Sequence, residues 1–286
     1  VSVTGPVTAR GANAFPADVL PKNTATHGVV VVDVDDVTLD TVNVRGMADY
    51  GAVFVGSTLT WTKGGASENL GTGLLISGGT ASLTGVSLCG ALQGTRKVPA
   101  YNGVLLTGTK VTSSDLTVCD SGAMGLLQVS SMAKHVNLSA TGNAGPAVWV
   151  QKSPSFELAG ASNLIDQNQF AGLVFIDVDK VQLANTKVAN TKLASRPFGA
   201  AGGNVQLGDG IQLVRSAAAV SFESVSLTGN AHTGFQIDLG PNDVTSPLFH
   251  MKWTGVTADA SGTAFGALCQ GSPGNVGTVW GPGIKI

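Results

Sequence analysis

The sequence has 286 residues, of which 43% are hydrophobic, 12% charged and 39 glycine, with a formal net charge of −2. That apolar content supports a continuous core and excludes disorder, and the lack of any basic run excludes a nucleic-acid binder, which neutralises phosphates with clustered Lys and Arg. No apolar stretch approaches the ~18 residues of a spanning helix, and Cys89, Cys119 and Cys269 lack the spacing of a zinc site.

Residues 1–27 lie outside any repeat and are expected to cap one end of a domain that runs over 28–286. From residue 28 a glycine followed by mostly apolar residues returns along the chain. The copies are Gly28-Val-Val-Val-Val, Gly51-Ala-Val-Phe-Val, Gly73-Leu-Leu-Ile, Gly103-Val-Leu-Leu and Gly125-Leu-Leu-Gln-Val. Gly145-Pro-Ala-Val-Trp-Val, Gly172-Leu-Val-Phe-Ile, Gly210-Ile-Gln-Leu-Val and Gly234-Phe-Gln-Ile follow, with Gly266-Ala-Leu-Cys as a weaker last copy. The shortest steps are about 22 to 24 residues, a period that belongs to solenoids. A second half of each unit alternates apolar and polar, as in Val42-Asn-Val44, Val86-Ser-Leu88, Leu116-Thr-Val118 and Val225-Ser-Leu227. Such period-2 alternation signals strands.

A unit this short, with two or three strands and no helical stretch, cannot bury its own apolar side. Stacking unit on unit at ~4.8 Å pairs each backbone with its neighbours and builds one core. The pattern therefore predicts an all-β, single-stranded parallel β-helix of about ten coils. Propeller blades need ~40 residues each, and a sandwich would show hairpin turns and less regular glycine phasing. Val29, Phe54, Leu74, Val104, Leu126, Leu173, Ile211 and Phe235 are expected to form a stacked core ladder.

The stretch Val225-Ser-Leu-Thr-Gly-Asn-Ala-His-Thr-Gly-Phe-Gln-Ile237 resembles the repeat unit of pectate-lyase-like β-helix proteins, in which an Asn-rich turn precedes Gly-Ile or Gly-Phe and a strand. The resemblance spans roughly residues 28–270 and implies a right-handed coil, in agreement with the crossover rule for parallel strands. It implies no single function, because the superfold hosts lyases, hydrolases, epimerases, adhesins and inert spacers. The chain also departs from the enzymes' own patterns. It has no Gly-His-Gly, Asp35-Asp36 lacks its partners, and Arg196-Pro197 is only a fragment of the Arg-x-Pro of pectate lyases.

Some steps are longer. Extra residues fall at 89–102 and 193–209, just before a repeat glycine, and at 240–247 and 258–265. Insertions at one corner of a solenoid project from one edge, where function tends to sit. They place Arg96, Lys97, Tyr101, Arg196 and Phe198 on a rim, with His232 near it, as candidate ligand-binding residues. The plainer reading is that these loops only cover the solenoid. Asp33-Val-Asp-Asp36 and Asp40 read as solvated turn carboxylates, and the scattered His27, His135, His232 and His250 as turn or surface residues. No metal and no cofactor is expected.

Cys89 and Cys119 stand equally far after Gly73 and Gly103, so they share a register on adjacent coils. Their Cα atoms should lie about 5 Å apart, within disulfide range. A stacked pair of thiols is the alternative, and Cys269 is expected to stay unpaired. A disulfide would point to a secreted or cell-surface protein.

Side chains alternate across a strand. If the first residue after each glycine points inward, Val30, Val53, Leu75, Leu105, Leu127, Ala147 and Val174 point out, turning polar only at Gln212 and Gln236. Trp149 and Ile176 fall on the same face, among the fourth positions. An outer face this apolar is expected to be an interface, covered by the chain's own segments, a second copy or a partner. The whole reads as a structural or binding module for a partner protein or a polysaccharide, with no membrane span. The alternative is a carbohydrate-active enzyme, a polysaccharide lyase or a glycoside hydrolase.

Overall fold

A computed structural model describes residues 2–3, 7–10, 26–93, 96–98, 101–198, 203–215, 219–238, 251–259, 267–270, 276–280 and 284–285. These contain strands and turns and no helix. The glycine-led segments form one sheet. Its strands run Val29–Val32, Ala52–Val55, Leu74–Ser77, Val104–Thr107, Leu126–Val129, Val148–Gln151, Phe170–Ile176, Gly203–Val214, Phe235–Asp238 and Ala267–Gln270. Each pairs in parallel with the next, and none is linked to its neighbour by a hairpin. The second half of each coil bends once and supplies two further parallel columns, seen in Val37–Arg45 against Thr58–Ser67 and in Lys180–Ala189 against Ala219–Thr228. The protein is a parallel β-helix, for which the crossover rule for parallel strands gives a right-handed coil.

The N-terminal strands Ser2–Val3 and Val7–Arg10 pair in parallel with Val37–Arg45, so the stack reaches below residue 28. At the other end Val276–Trp280 and Ile284–Lys285 run antiparallel to their neighbours.

Left-handed residues set the corners. One column after the first sheet contains Asp33, Ser130, Lys152, Asp177 and Arg215. A second contains Thr41, Lys63, Asp115, Asn137, Asn185 and Ser224. A third contains Glu68, Asp120, Gln167 and Asn190. All have φ between 46° and 58°. A single residue in this region turns the chain sharply, and short polar side chains adopt it more readily than most. Where the coils also approach closely only glycine fits: a Cβ on Gly79, at φ +69°, would lie 2.1 Å from the Ser57 carbonyl oxygen.

Inward side chains form continuous ladders. Ala52, Leu74, Val104, Leu126, Val148, Leu173, Ile211 and Phe235 share one register and are buried. Phe54 is also buried but stands in the next ladder, between Val31 and Ile76, because Ala52 is the first residue after its glycine. The first residue of the series, Val29, is only half-buried. The sixth coil begins later than its glycine suggests. Val148 pairs with Leu126, so Ala147 takes the glycine's place and is buried, and Trp149 takes the second, outward position. Pro146, which has no N–H for the ladder, stays in the turn and accepts a hydrogen bond from Gly125 N at 3.0 Å.

His135 is a core residue and not a turn or surface one. Strand alternation sends it inward between Ser113 and Leu158, where its ring meets Phe156 at 5.5 Å.

Two corners carry buried polar ladders. Ser131 and Ser153 accept hydrogen bonds from the backbone N–H of Thr109 and Ser131 at 3.1 and 3.3 Å. Asn69, Asn143, Asn168 and Asn230 accept from Met47, Ser121, Asn143 and Thr191 at 2.9 to 3.3 Å. These satisfy turn N–H groups that no sheet reaches. Cys89 and Cys119 pair in register and are joined by a disulfide with Cα atoms 4.4 Å apart.

Candidate functional site

Two insertions form antiparallel hairpins on the edge that leads into the first sheet. One is Ala91–Gln93 with Arg96–Val98, the other Ala194–Phe198 with Gly203–Leu207. Arg96 and Lys97 lie on the first hairpin, Arg196 and Phe198 on the second; their side chains fall outside the described structure. Tyr101 follows the first hairpin, is 63% exposed, and accepts a hydrogen bond from Ala123 N through its carbonyl. Residues 240–247 and 260–265 and His250 also lie outside the described residues.

Over the coils between the hairpins lies a cleft of about 360 Å³. Its floor is the outward row of the first sheet, Trp149, Val174 and Gln212, with Met124 and Pro146 from the turns beside it and Phe170 from the start of its strand. Leu207, from the end of the second hairpin, completes the lining. Here the chain covers its own outer face, for Val174 points outward yet is 1% exposed. Phe170 holds φ at 67°, a costly conformation for a bulky residue and one that gathers at ligand sites. Trp149 donates Nε1–H to Gln151 Oε1 at 3.2 Å, which steadies its half-buried indole.

Below Gln212 sits a wholly buried carboxylate, Asp209. Its Oδ1 accepts from His232 Nδ1 at 2.6 Å, Thr233 N at 3.0 Å and Thr233 Oγ1 at 2.6 Å. Its Oδ2 accepts from Gln212 Nε2. Burying a carboxylate is costly unless its oxygens find donors, and here both do. The hydrogen bond to Asp209 holds the His232 imidazole above its usual pKa, against the opposing effect of partial burial. With Nδ1 occupied, Nε2 is the ring nitrogen left for chemistry, on a side chain that is 33% exposed.

The sequence places His232 near the rim but gives Asp209 no role. The signal was the residue before each repeat glycine, which is Thr72, Asn102, Met124, Ala171 or Thr233 in other coils and an acid only in Gly208-Asp-Gly. Phe170 and Leu207 carried no comparable signal. Elsewhere the outward row is open to different degrees. Val30 is 53% exposed, while Val53, Leu75, Leu105, Leu127 and Ile176 are half-buried. Asp33, Asp35 and Asp36 are exposed at their corner. Among the described residues no group of three or more His, Cys, Asp or Glu gathers to hold a metal, and no helix is long and apolar enough to cross a membrane.

No protein-family model matches the chain, and no curated protein matches it. Two solved structures are similar to it. ORF18 of Geobacillus virus E2 is 11% identical with a TM-score of 0.39, over 86% of this chain and 54% of that one. This chain thus spans about half the length of that protein. The A-module of the mannuronan C-5 epimerase AlgE4 of Azotobacter vinelandii is 13% identical with a TM-score of 0.30, over 82% of this chain and 79% of that one. At these scores the fold assignment rests on the parallel coil-to-coil register described above.

Proposed function

We propose that the protein is an exported β-helix binding module whose cleft over Trp149 receives a sugar ring of a polysaccharide. The observation that carries this reading is the cleft itself, a recess on the sheet's outward face bordered by the end of the second hairpin. A pyranose has one face of C–H groups and an edge of hydroxyls. The half-buried indole of Trp149 suits the first, and the half-buried Gln212 amide suits the second. The Cys89–Cys119 disulfide supports export, since such bonds persist in oxidising compartments. A glycan array of neutral and acidic polysaccharides should return a bound set, and Trp149→Ala should weaken it at least tenfold, the scale of a lost aromatic anchor. Equal binding by native protein and the Trp149→Ala variant would defeat the reading.

A second reading has one observation in its favour. A buried carboxylate that orients a partly exposed imidazole is an arrangement fit for general acid–base work. On that reading the protein is a carbohydrate-active enzyme with His232 as the proton-transfer group. A panel of polysaccharides should then yield shorter products, and His232→Gln should cut the rate ~100-fold or more. Unchanged product release by that variant would remove His232 from the chemistry.

A further inference from the structure

We infer that Asp209 fixes the orientation of the Gln212 amide, so that the cleft presents a hydrogen-bond acceptor and selects ligands that offer a hydroxyl or N–H donor. The inference rests on the cleft being a ligand site and adds which polar group of the ligand must meet its floor.

An amide side chain has two ends of opposite character, and its neighbours decide which end faces where. Gln212 is half-buried, lines the cleft, and touches Asp209 Oδ2. A carboxylate only accepts, so the atom of Gln212 that meets it must be Nε2. The atom left toward the cleft is Oε1, an acceptor. Asp209 cannot turn to relax this constraint, because its other oxygen is held by three donors, His232 Nδ1, Thr233 N and Thr233 Oγ1. Thr233 and Asp209 are both fully buried, so the arrangement belongs to the rigid stack and not to a mobile surface. Gln212 is therefore a specificity-determining residue, and Asp209 a positioning residue that acts through it.

The same geometry predicts how the selection can be reversed. In Asp209→Asn the three donors keep an oxygen at the Oδ1 position and drive the new amide nitrogen to the Oδ2 position. That nitrogen donates, so Gln212 must rotate to offer it Oε1 and turn Nε2 toward the cleft. The cleft then presents a donor, which ethers and hydroxyls satisfy alike.

The probes are cyclohexanol and methoxycyclohexane, compact rings that differ in having or lacking a donor. Binding is followed by the NMR shift of the Trp149 indole N–H. Native protein should bind cyclohexanol about tenfold more tightly than its methyl ether, the scale of one unmade hydrogen bond at a desolvated group. In Asp209→Asn the ratio should fall to near one. Gln212→Met, which keeps the length of the side chain and leaves three donors on Asp209, should also abolish the preference while both probes still bind. Equal affinities in native protein, or a tenfold preference that survives in either variant, would overturn the inference while leaving the cleft a binding site. If neither probe shifts the Trp149 signal, the cleft is not a ligand site and the inference falls with it. If Asp209→Asn does not fold, the Gln212→Met ratio alone decides.

Discussion

His135 is fully buried in the core. Its Nδ1 shares a hydrogen bond of 2.7 Å with Ser113 Oγ, its Nε2 has no hydrogen-bond partner among the described residues, and its ring packs on Phe156. Burial accordingly lowers its pKa from 6.5 to about 4. A folded-state pKa below the unfolded one means that the unfolded chain binds the extra proton first as pH falls. Stability from keeping His135 neutral is complete above pH 6.5 and is lost progressively down to about 4, a difference of about 3 kcal/mol. Replacing the pair, Ser113→Ala with His135→Leu, should flatten this slope. Urea unfolding of both proteins from pH 7 to pH 4 measures it, and parallel curves would show that His135 does not carry the acid sensitivity. His232 behaves in the opposite sense. Its raised pKa gives stability that is present below the unfolded value near 6.5 and is lost as pH rises through the folded one. The chain distinguishes the two histidines poorly. His135 stands in the alternation Met132-Ala-Lys-His-Val, where a polar ring in the inward register looks like a surface residue until Leu158 is seen on one side of it and Ser113, with Leu83 beyond, on the other.

The turns work as elements because each passes its unsatisfied groups to the next coil. Asn143 shows the economy of the device. Its Oδ1 accepts from Ser121 N at 3.0 Å, while its backbone N and its Nδ2 both donate to Asn168 Oδ1, at 3.0 and 2.7 Å. Removing the amide strands a buried N–H in the coil below and deprives Asn168 of a donor in the coil above. Asn143→Ala should therefore cost about 2–3 kcal/mol, more than an isolated side-chain hydrogen bond is worth. Asn143→Asp, which can accept but not donate, should cost less at Ser121 and more at Asn168. Chemical denaturation of the two variants reads the effect, and a loss below about 0.5 kcal/mol, the range of ordinary surface changes, would show that the ladder is not structural. Much of this was readable beforehand. The Gly-Asn of Leu227-Thr-Gly-Asn230 marks the same corner, and the matched positions of Cys89 and Cys119 follow from the glycine phasing. The sixth coil was misread because Gly145 belongs to a turn and Ala147 does the glycine's work.

Across the whole molecule, period and parity were legible because the sheet imposes them on every coil at once. An apolar second residue after each glycine has to face outward, and the row Val30, Val53, Leu75, Leu105 and Leu127 does so. What the sequence does not contain is how that row is shielded. Over Val174 the cleft lining closes, and over Val30 nothing described does. The insertions could be located but not shaped, since a hairpin such as Ala194–Phe198 with Gly203–Leu207 has no repeat to reveal it. The candidate site was half visible for the same reason. Its floor follows the repeat, whereas Asp209, Phe170 and Leu207 are departures from it, and a departure cannot be told from drift without the neighbours it touches.

The left-handed corners have a consequence for how such a molecule can change in length. Ser121 and Asn143, like Ser113 and His135, occupy equivalent places 22 residues apart. Because each corner recurs at a fixed place in the coil, a block cut between equivalent points carries a complete set of corners and leaves a seam with no frame error. Excision of residues 126–147 would bring Val148 directly onto Val104, with hydrocarbon meeting hydrocarbon in the core. It would also take away Ser131, His135 and Asn143 together and leave the Cys89–Cys119 link untouched. Removal of an odd number of residues within a strand would turn inward-facing residues to the outside through the rest of that strand. Length in this architecture is therefore quantised: the chain can gain or lose whole storeys, while variation within a storey falls at the corners, as between Ala159 and Leu164, and at the edge that holds the hairpins and the cleft.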